Sequence, residues 1–379
     1  MEESEFREFK SMRISTSPAK RSARRGFTIV EFVVSLVIIS LLAALIIPEI
    51  QHSRTPARRT VCQSNLRTIG LAVQYYATTH RSAVPPLAGG VLLKPSQSGK
   101  ELRTQDAPWS VHLLPYLEQQ ALYDRLQVGL FDQSGDLASI AIETFVCPDD
   151  PKSDEGGNQS YVANTGMMAI DLWNSVNDRE HAAEGYDFGF NGYSTPPTDL
   201  DRQVAYSTGV FWRLRSPAPE GSPHAPTLDF ISKHDGTSQT VLLSENCDTR
   251  PRDPAANTGG WYSDATIDMA FGIPVDGRRV DSRFEVALGD QSMGVGTAGD
   301  ESNALSLGKQ SVSPDAGINS SRGKGRPRPT SNHPGVVNMA FADGSCKVIS
   351  EKISLDVYAR LLSPAGNRHG QLTLSSSEF

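Results

Sequence analysis

The residues of this chain whose types and spacing could do chemistry are few. They are four cysteines, a histidine ten positions ahead of an aspartate, a short run of acids, a glycine-rich hexapeptide and one carboxylate inside an apolar segment. Cys62, Cys147, Cys247 and Cys346 show no C-x-x-C spacing, so neither a zinc ribbon nor a dithiol redox pair is indicated. In an exported chain an even cysteine count permits two disulfides in three connectivities. Cys62 falls on the apolar stripe of a predicted helix and Cys147 ends a predicted strand, which makes Cys62–Cys147 the first pairing. Cys247 and Cys346, each at a strand edge, are left to pair with one another. Four buried free thiols are the alternative, because adjacency is not readable from sequence.

His333 and Asp343 suggest a site only if the chain between them turns, since ten residues of extended strand span roughly 33 Å. Structural punctuation is the better reading: His333-Pro334-Gly335 opens a strand and Asp343-Gly344 turns it. Asp149, Asp150, Asp154 and Glu155 offer oxygens to calcium, but without Ca-loop spacing they read as a solvated turn. "GVGTAG", Gly294 to Gly299, fits G-x-G-x-x-G, yet "DESNALSLG" after it is a poor helix, so no dinucleotide site is expected. A G-x-S-x-G elbow, an H-E-x-x-H pair and a phosphate loop are all missing. No catalytic residue, metal ligand or cofactor is assigned.

Glu31 stands in "RRGFTIVEFVVSLVIISLLAALIIPEI", Arg24 to Ile50. From Phe27 to Ile47 the 21 residues are interrupted only by Thr28, Glu31, Ser35 and Ser40. About 20 apolar residues span a bilayer core as a helix, so this segment is long enough to cross. A removable secretory signal ends in a small-x-small site, as does the twin-arginine type that Arg24-Arg25 suggests, and "LAALIIPEI" offers none. The preceding segment carries seven basic residues against four acidic ones, a net charge of +3. By the positive-inside rule that end stays cytoplasmic and the rest is exported. A carboxylate in such a segment costs up to roughly 3 kcal/mol, so Glu31 needs a partner, or else lies solvated at the interface.

These residues resemble the class III signal of type IV pilins and type II secretion pseudopilins: a basic leader, a glycine, an aromatic, and a glutamate at the fifth mature position. The resemblance implies that a membrane prepilin peptidase cuts after Gly26 and methylates the amine of Phe27. Glu31 is then the fifth residue and Pro48 the twenty-second, where pilins often carry a helix-bending proline. It also implies partners: other pilin-like subunits through the N-terminal helix, and an inner-membrane assembly platform. In a fibre core Glu31 can pair with the amine of a neighbour's Phe27, each offsetting the other's desolvation.

Beyond Pro48 the helix pattern resumes as a stripe of Cys62, Leu66, Ile69, Val73 and Tyr76, with Pro56 inside it as a kink. A helix from Phe27 to about residue 80 results, ~80 Å long at 1.5 Å per residue. "WSVHLLPYLEQQALYDRL" reads as a short strand or turn leading into a helix, and "IETFVCPDD" as a buried strand ending in a turn. Residues 154–330 are polar and punctuated, with strands expected only at "STGVFWRL", "TLDFI" and "QTVLLSE". "VVNMAFADGSCKVIS" reads as a hairpin, Val337–Ala342 and Cys346–Ile349 about the Asp343-Gly344 turn.

The blocks "CQSNLRTIGLAVQYY", "WSVHLLPYLEQQALY", "FVCPDD", "HDGTSQTVLLSE" and "HPGVVNMAFADGSCKVIS" come in the order of a large pilin-like family of unknown function. The chain resembles that family, whose ending H-x(9)-D-G matches His333, Asp343 and Gly344. Residues 171–229 and 248–329 carry little of the likeness, and no biochemical activity follows from it.

The organisation expected is a basic leader at 1–26, a membrane and pilin-type helix at 27–80, and an exported domain at 81–362 with a polar tail at 363–379. Within the domain, 154–330 is a loop-rich insertion and 331–350 the C-terminal hairpin. The fold class is α+β, a long helix on an antiparallel sheet. Without its leader the chain's net charge of −7 becomes −10, acidic and unsuited to nucleic acid. The function expected is a non-enzymatic subunit of a secretion or pilus-like assembly, single-pass in the inner membrane with its amino terminus cytoplasmic. A membrane-anchored ligand-binding envelope protein is the second reading and an exported hydrolase the third.

Overall fold

A computed structural model of the chain describes residues 28–92, 104–127, 137–152, 156–169, 206–213, 226–253, 259–263, 266–280, 283–288, 291–297, 317–320, 327–369, 371–375 and 378–379. Gly26, Phe27, Asp154 and Glu155 lie outside these residues. Two compact units divide the chain, Met1–Ser53 and Arg54–Phe379.

The described part of the first unit is the start of helix α1, Ile29–Thr79, which is continuous through Pro48 and Pro56. Among the described residues no helix is long and apolar enough to cross a membrane. The sequence run Phe27–Ile47 extends past the side chains described there, which stop at Ala44. The hydroxyls in this run turn back on the helix: Ser35 donates to the Glu31 carbonyl at 2.7 Å and Ser40 to that of Val37 at 2.8 Å. Glu31 is therefore the one charged side chain on an otherwise apolar surface, and Ile29 is 83% exposed and Leu41 63%.

In the second unit, Cys62, Leu66, Ile69 and Val73 of α1 are fully buried on the core, because steps of three and four keep them on one face. Ahead of the main sheet come the small hairpin of β1 (Ala88–Leu92) and β2 (Thr104–Pro108), then α2 (Trp109–Leu113), a 3-10 turn at Leu114–Leu117 and α3 (Gln120–Gln127). The main sheet has seven strands in the order β7-β6-β5-β3-β4-β8-β9. These are β3 (Tyr161–Ala169), β4 (Val241–Glu245), β5 (Ala270–Val280), β6 (Arg283–Leu288), β7 (Gln291–Thr297), β8 (Val336–Phe341) and β9 (Cys346–Ser350). All neighbours are antiparallel except β3 and β5, which run parallel. The region 154–330, expected to be loop-rich, thus supplies β3 through β7.

The central strands β4 and β8 are buried on both faces. Leu243 and Ala340 belong to the core that holds the α1 stripe, whereas Val241, Met339 and Phe341 pack with Leu355, Tyr358 and Leu362 of a helix at Leu355–Leu362. In β8 strand alternation does this, with Ala340 between Met339 and Phe341, whereas in β4 a register shift between Val241 and Leu243 sends those two to different cores.

Three short segments differ from their sequence reading. "TLDFI" is a helix, α4 (Leu228–Lys233), started by Thr227, whose side chain accepts from Phe230 N at 3.0 Å. "IETFVCPDD" holds a 3-10 turn, Glu143–Phe145. "STGVFWRL" is not a strand: residues 206–208 form a helical turn, and Val210 N and Phe211 N both donate to the Asn164 carbonyl. A four-residue helix, α5 (Thr266–Met269), leads into β5, and Leu355–Leu362 is α6.

Candidate functional site

Two places bring chemically capable groups together, one in each unit. The first is the start of α1. Thr28 N and Oγ1 both donate to Glu31 Oε2, at 2.9 and 2.8 Å, and Glu31 N donates to Thr28 Oγ1 at 3.2 Å. This is a capping box, the Thr-x-x-Glu arrangement in which two orphan backbone N–H groups of a helix start are satisfied reciprocally. Glu31 Oε1 accepts no hydrogen bond among the described residues. The spacing is legible in the sequence as Thr28-Ile29-Val30-Glu31, a capping signal that the carboxylate's charge masks.

The second is inside the second unit, where α1 meets the end of β4 and β8. Cys62 on α1 and Cys147 after the 3-10 turn are joined as a disulfide, with Cα atoms 5.2 Å apart. The His333 ring lies against it, Nε2 at 3.7 Å from Cys147 Sγ and 3.2 Å from Glu245 Oε1. On the other side His333 Nδ1 is 3.3 Å from Asp149 Oδ2, within ion-pair distance but without hydrogen-bond alignment. Glu245 ends β4, fully buried, and is held by Asn338, whose backbone N and Nδ2 each donate at 2.9 Å. Gln63 Nε2, one residue after Cys62, donates to Asn338 Oδ1 at 3.1 Å. Burying a carboxylate requires such partners, since an unpaired one is expelled or neutralised. One ligand atom from each of Cys62, Cys147, Glu245 and His333 lies within 4.8 Å of all the others.

The sequence reading gave His333 to the strand start and missed Glu245 altogether. "QTVLLSE" marks a buried strand ending in an acid, but nothing in its spacing points to His333. His333 precedes β8 and Asp343 follows it, so the strand holds them at opposite ends. Asp343 Oδ1 accepts from Ser345 N at 2.8 Å, and Gly344 adopts φ +82° in the same turn. That is a hairpin's geometry, and the two motif residues form no common site.

Cys247 and Cys346 are free thiols, not the second disulfide expected from the sequence. Cys346 sits opposite Ala340, which lies next to Leu243 across the following pair of strands. Cys247 is four residues past Leu243 in the chain. Two strand spacings put β9 roughly 10 Å from β4, beyond the ~7 Å that a disulfide's Cα atoms allow. Burial pushes the Cys346 thiol up to about 12, with Glu245 adding to it, and raises Cys247 well above the ordinary thiol range. Neither is a nucleophile in this environment.

The acids at 149–150 are already partnered. Asp149 faces Arg58 at 3.2 Å as well as His333, and Asp150 accepts from Lys152 N and Ser160 Oγ. Burial raises the Asp150 carboxyl, while Lys152 pulls it back. In "GVGTAG", Gly294 to Thr297 belong to strand β7, while Ala298 and Gly299 lie outside the described residues.

Comparison with known proteins gives two matches. A family described as protein of unknown function (DUF1559) matches residues 51–356. A prokaryotic N-terminal methylation motif matches residues 21–47. No curated protein and no solved structure matches the chain.

Proposed function

The chain belongs to the family of proteins of unknown function DUF1559, and from that membership and its N-terminal methylation motif we propose that it is a non-enzymatic, pilin-like structural subunit. In this reading a prepilin peptidase hydrolyses the Gly26–Phe27 bond and the amine of Phe27 is methylated. The run Phe27–Ile47 holds the mature chain in the inner membrane, with its amino terminus toward the cytoplasm and residues 54–379 exported. Its helix associates with those of other pilin-like subunits on an inner-membrane platform, within a secretion or pilus-like assembly. No cofactor or nucleic acid enters this function.

The observation that carries the reading is the state of Glu31. One carboxylate oxygen caps the helix and the other has no partner among the described residues. An oxygen left open on an apolar surface is what a neighbouring subunit's amine requires. Capping and inter-subunit pairing are thus compatible at one side chain. An apolar face with Ile29 83% exposed likewise calls for lipid or a second helix.

A second reading, the lone membrane anchor displaying a ligand-binding domain, is favoured by the same capping box, which already gives the acid a job within one chain. Two variants separate them. Glu31→Gln keeps the capping geometry, since glutamine serves in the box, but removes the charge. Glu31→Leu removes both. In a fibre subunit each variant leaves a neighbour's charged amine buried unpaired, a loss of about 3 to 5 kcal/mol, so in-membrane crosslinking between N-terminal helices falls sharply for both. Undiminished crosslinking in Glu31→Gln would refute the pairing and favour the lone anchor.

A further inference from the structure

The disulfide does not stand alone: its two sulfurs share a buried pocket with an imidazole nitrogen and a carboxylate oxygen. We propose that in the dithiol state Cys62, Cys147, His333 and Glu245 form a closed four-ligand site for a thiophilic divalent cation, Zn2+. The same side chains then exist in two alternative states, a disulfide or a metal centre.

Each donor is one that zinc takes, thiolate sulfur at about 2.3 Å and imidazole nitrogen and carboxylate oxygen at about 2.0 to 2.2 Å, and four of them close a tetrahedral site. With tetrahedral arms of that length, adjacent ligand atoms stand roughly 3.3 to 3.8 Å apart. His333 Nε2 is already 3.7 Å from Cys147 Sγ and 3.2 Å from Glu245 Oε1. The remaining ligand atoms lie within 4.8 Å of one another, and the two sulfurs, bonded to each other in the oxidised chain, have to part. Supporting groups stand beside the ligands. Asp149 lies 3.3 Å from the second ring nitrogen of His333, so that a turn of the ring into alignment gives the N–H to carboxylate bond that orients a metal-binding histidine. Asn338 fixes both oxygens of Glu245. The four ligands are buried, whereas the Asp149 side chain is 16% exposed and marks the side facing solvent.

The chemistry balances without an unnamed reactant. Zn2+ binding to the two thiols forms two Zn–S bonds and releases two protons. An organic disulfide oxidant takes two electrons from the bound thiolates, and the Cys62–Cys147 bond forms as Zn2+ leaves. The oxidant, its own S–S bond broken, takes up two protons to become two thiols. A dithiol reductant runs the exchange in reverse. Sequence spacing gives no sign of the site, because its ligands come from α1, the turn after Phe145, the end of β4 and the approach to β8.

The test uses the purified full chain in detergent, oxidised or reduced by a phosphine without air, titrated with Zn2+ against a chromophoric chelator and with Co2+ as spectroscopic probe. The reduced chain is expected to bind one Zn2+ at least 100-fold more tightly than the oxidised chain, and Co2+ to show tetrahedral thiolate bands. His333→Ala should weaken binding 100-fold or more, and Asp149→Asn by about 10- to 100-fold. Cys247→Ser and Cys346→Ser should leave it unchanged. Since His333→Ala strips a buried ring, Asp149→Asn carries the same test at a residue closer to solvent. Equal affinity of the reduced and oxidised chains, binding indifferent to both His333→Ala and Asp149→Asn, or loss of the site in Cys247→Ser or Cys346→Ser would overturn the proposal.

Discussion

His112 shows how burial alone makes a residue sensitive to pH. Its edge reaches the surface, but Nε2 is buried without a hydrogen-bond partner. Burial holds the imidazole down at about 4 against an ordinary 6.5, with the backbone at Gly89 and Ala107 pulling the other way. Below pH 6.5 the unfolded chain takes up a proton here that the folded chain refuses until about pH 4. This contribution to stability is therefore intact above the window and lost as pH falls through it, by at most about 1.4 kcal/mol per pH unit. Urea midpoints at pH 7 and pH 4.5 should separate more in the wild type than in His112→Asn, and equal separation would contradict the assignment. The disulfide is a second residue-scale matter. It closes a loop with a sequence separation of 85, for which chain entropy gives about 4 to 5 kcal/mol and practice about 2 to 4. Peptide mapping without reductant should link Cys62 to Cys147, while Cys247 and Cys346 alkylate once the chain is unfolded. A Cys247–Cys346 peptide would contradict the strand register.

At the scale of elements, caps carried more information than residue propensities did. α6 starts at Ser354, whose Oγ accepts from Val357 N at 3.3 Å. Replacing such a cap with alanine costs about 1 kcal/mol, so Ser354→Ala should lower the urea midpoint modestly, and no change at all would show the cap idle. The helical stripe of α1 and the Asp343-Gly344 hairpin were legible because periodicity and turn chemistry act locally. "TLDFI" was misread because its β-branched and aromatic residues favour strands, although Thr227 as cap, Asp229 in the first turn and Lys233 in the last are helix signals. "STGVFWRL" was not legible at all: Gly209 lies so close to Thr165 that an added Cβ would come within 2.3 Å of the Thr165 carbonyl. A tertiary contact of that kind overrides propensity and leaves no local trace. The same limit hid Glu245, whose partners lie on other elements, and left most of the β3–β7 region reading as loop. A Gly166→Ala change should be severe for two reasons, φ +71° and a Cβ 2.1 Å from the Thr208 carbonyl. Loss of soluble, folded exported domain on expression checks it, and wild-type stability would contradict the close approach.

At the scale of the whole molecule, the chain combines an N-terminal segment matched by a methylation motif with an α+β unit matched by a family of unknown function. The two parts place different demands on their residues. The first exposes apolar side chains and keeps one acid, a surface suited to lipid or to other helices. The second holds several of its buried polar groups in paired networks, such as Arg250 on Asp268 at 2.6 Å and Asn338 on Glu245. Everything proposed for the first part depends on removal of the leader. The amine that Glu31 is held to meet exists only after hydrolysis of the Gly26–Phe27 bond. Mass spectrometry of the amino terminus of the mature, membrane-extracted chain therefore tests the account most directly. It should find a chain beginning at an N-methylated Phe27, and Gly26→Val should leave residues 1–26 attached. An intact leader in the mature wild-type protein, or a cut beyond Ile50, would contradict the account.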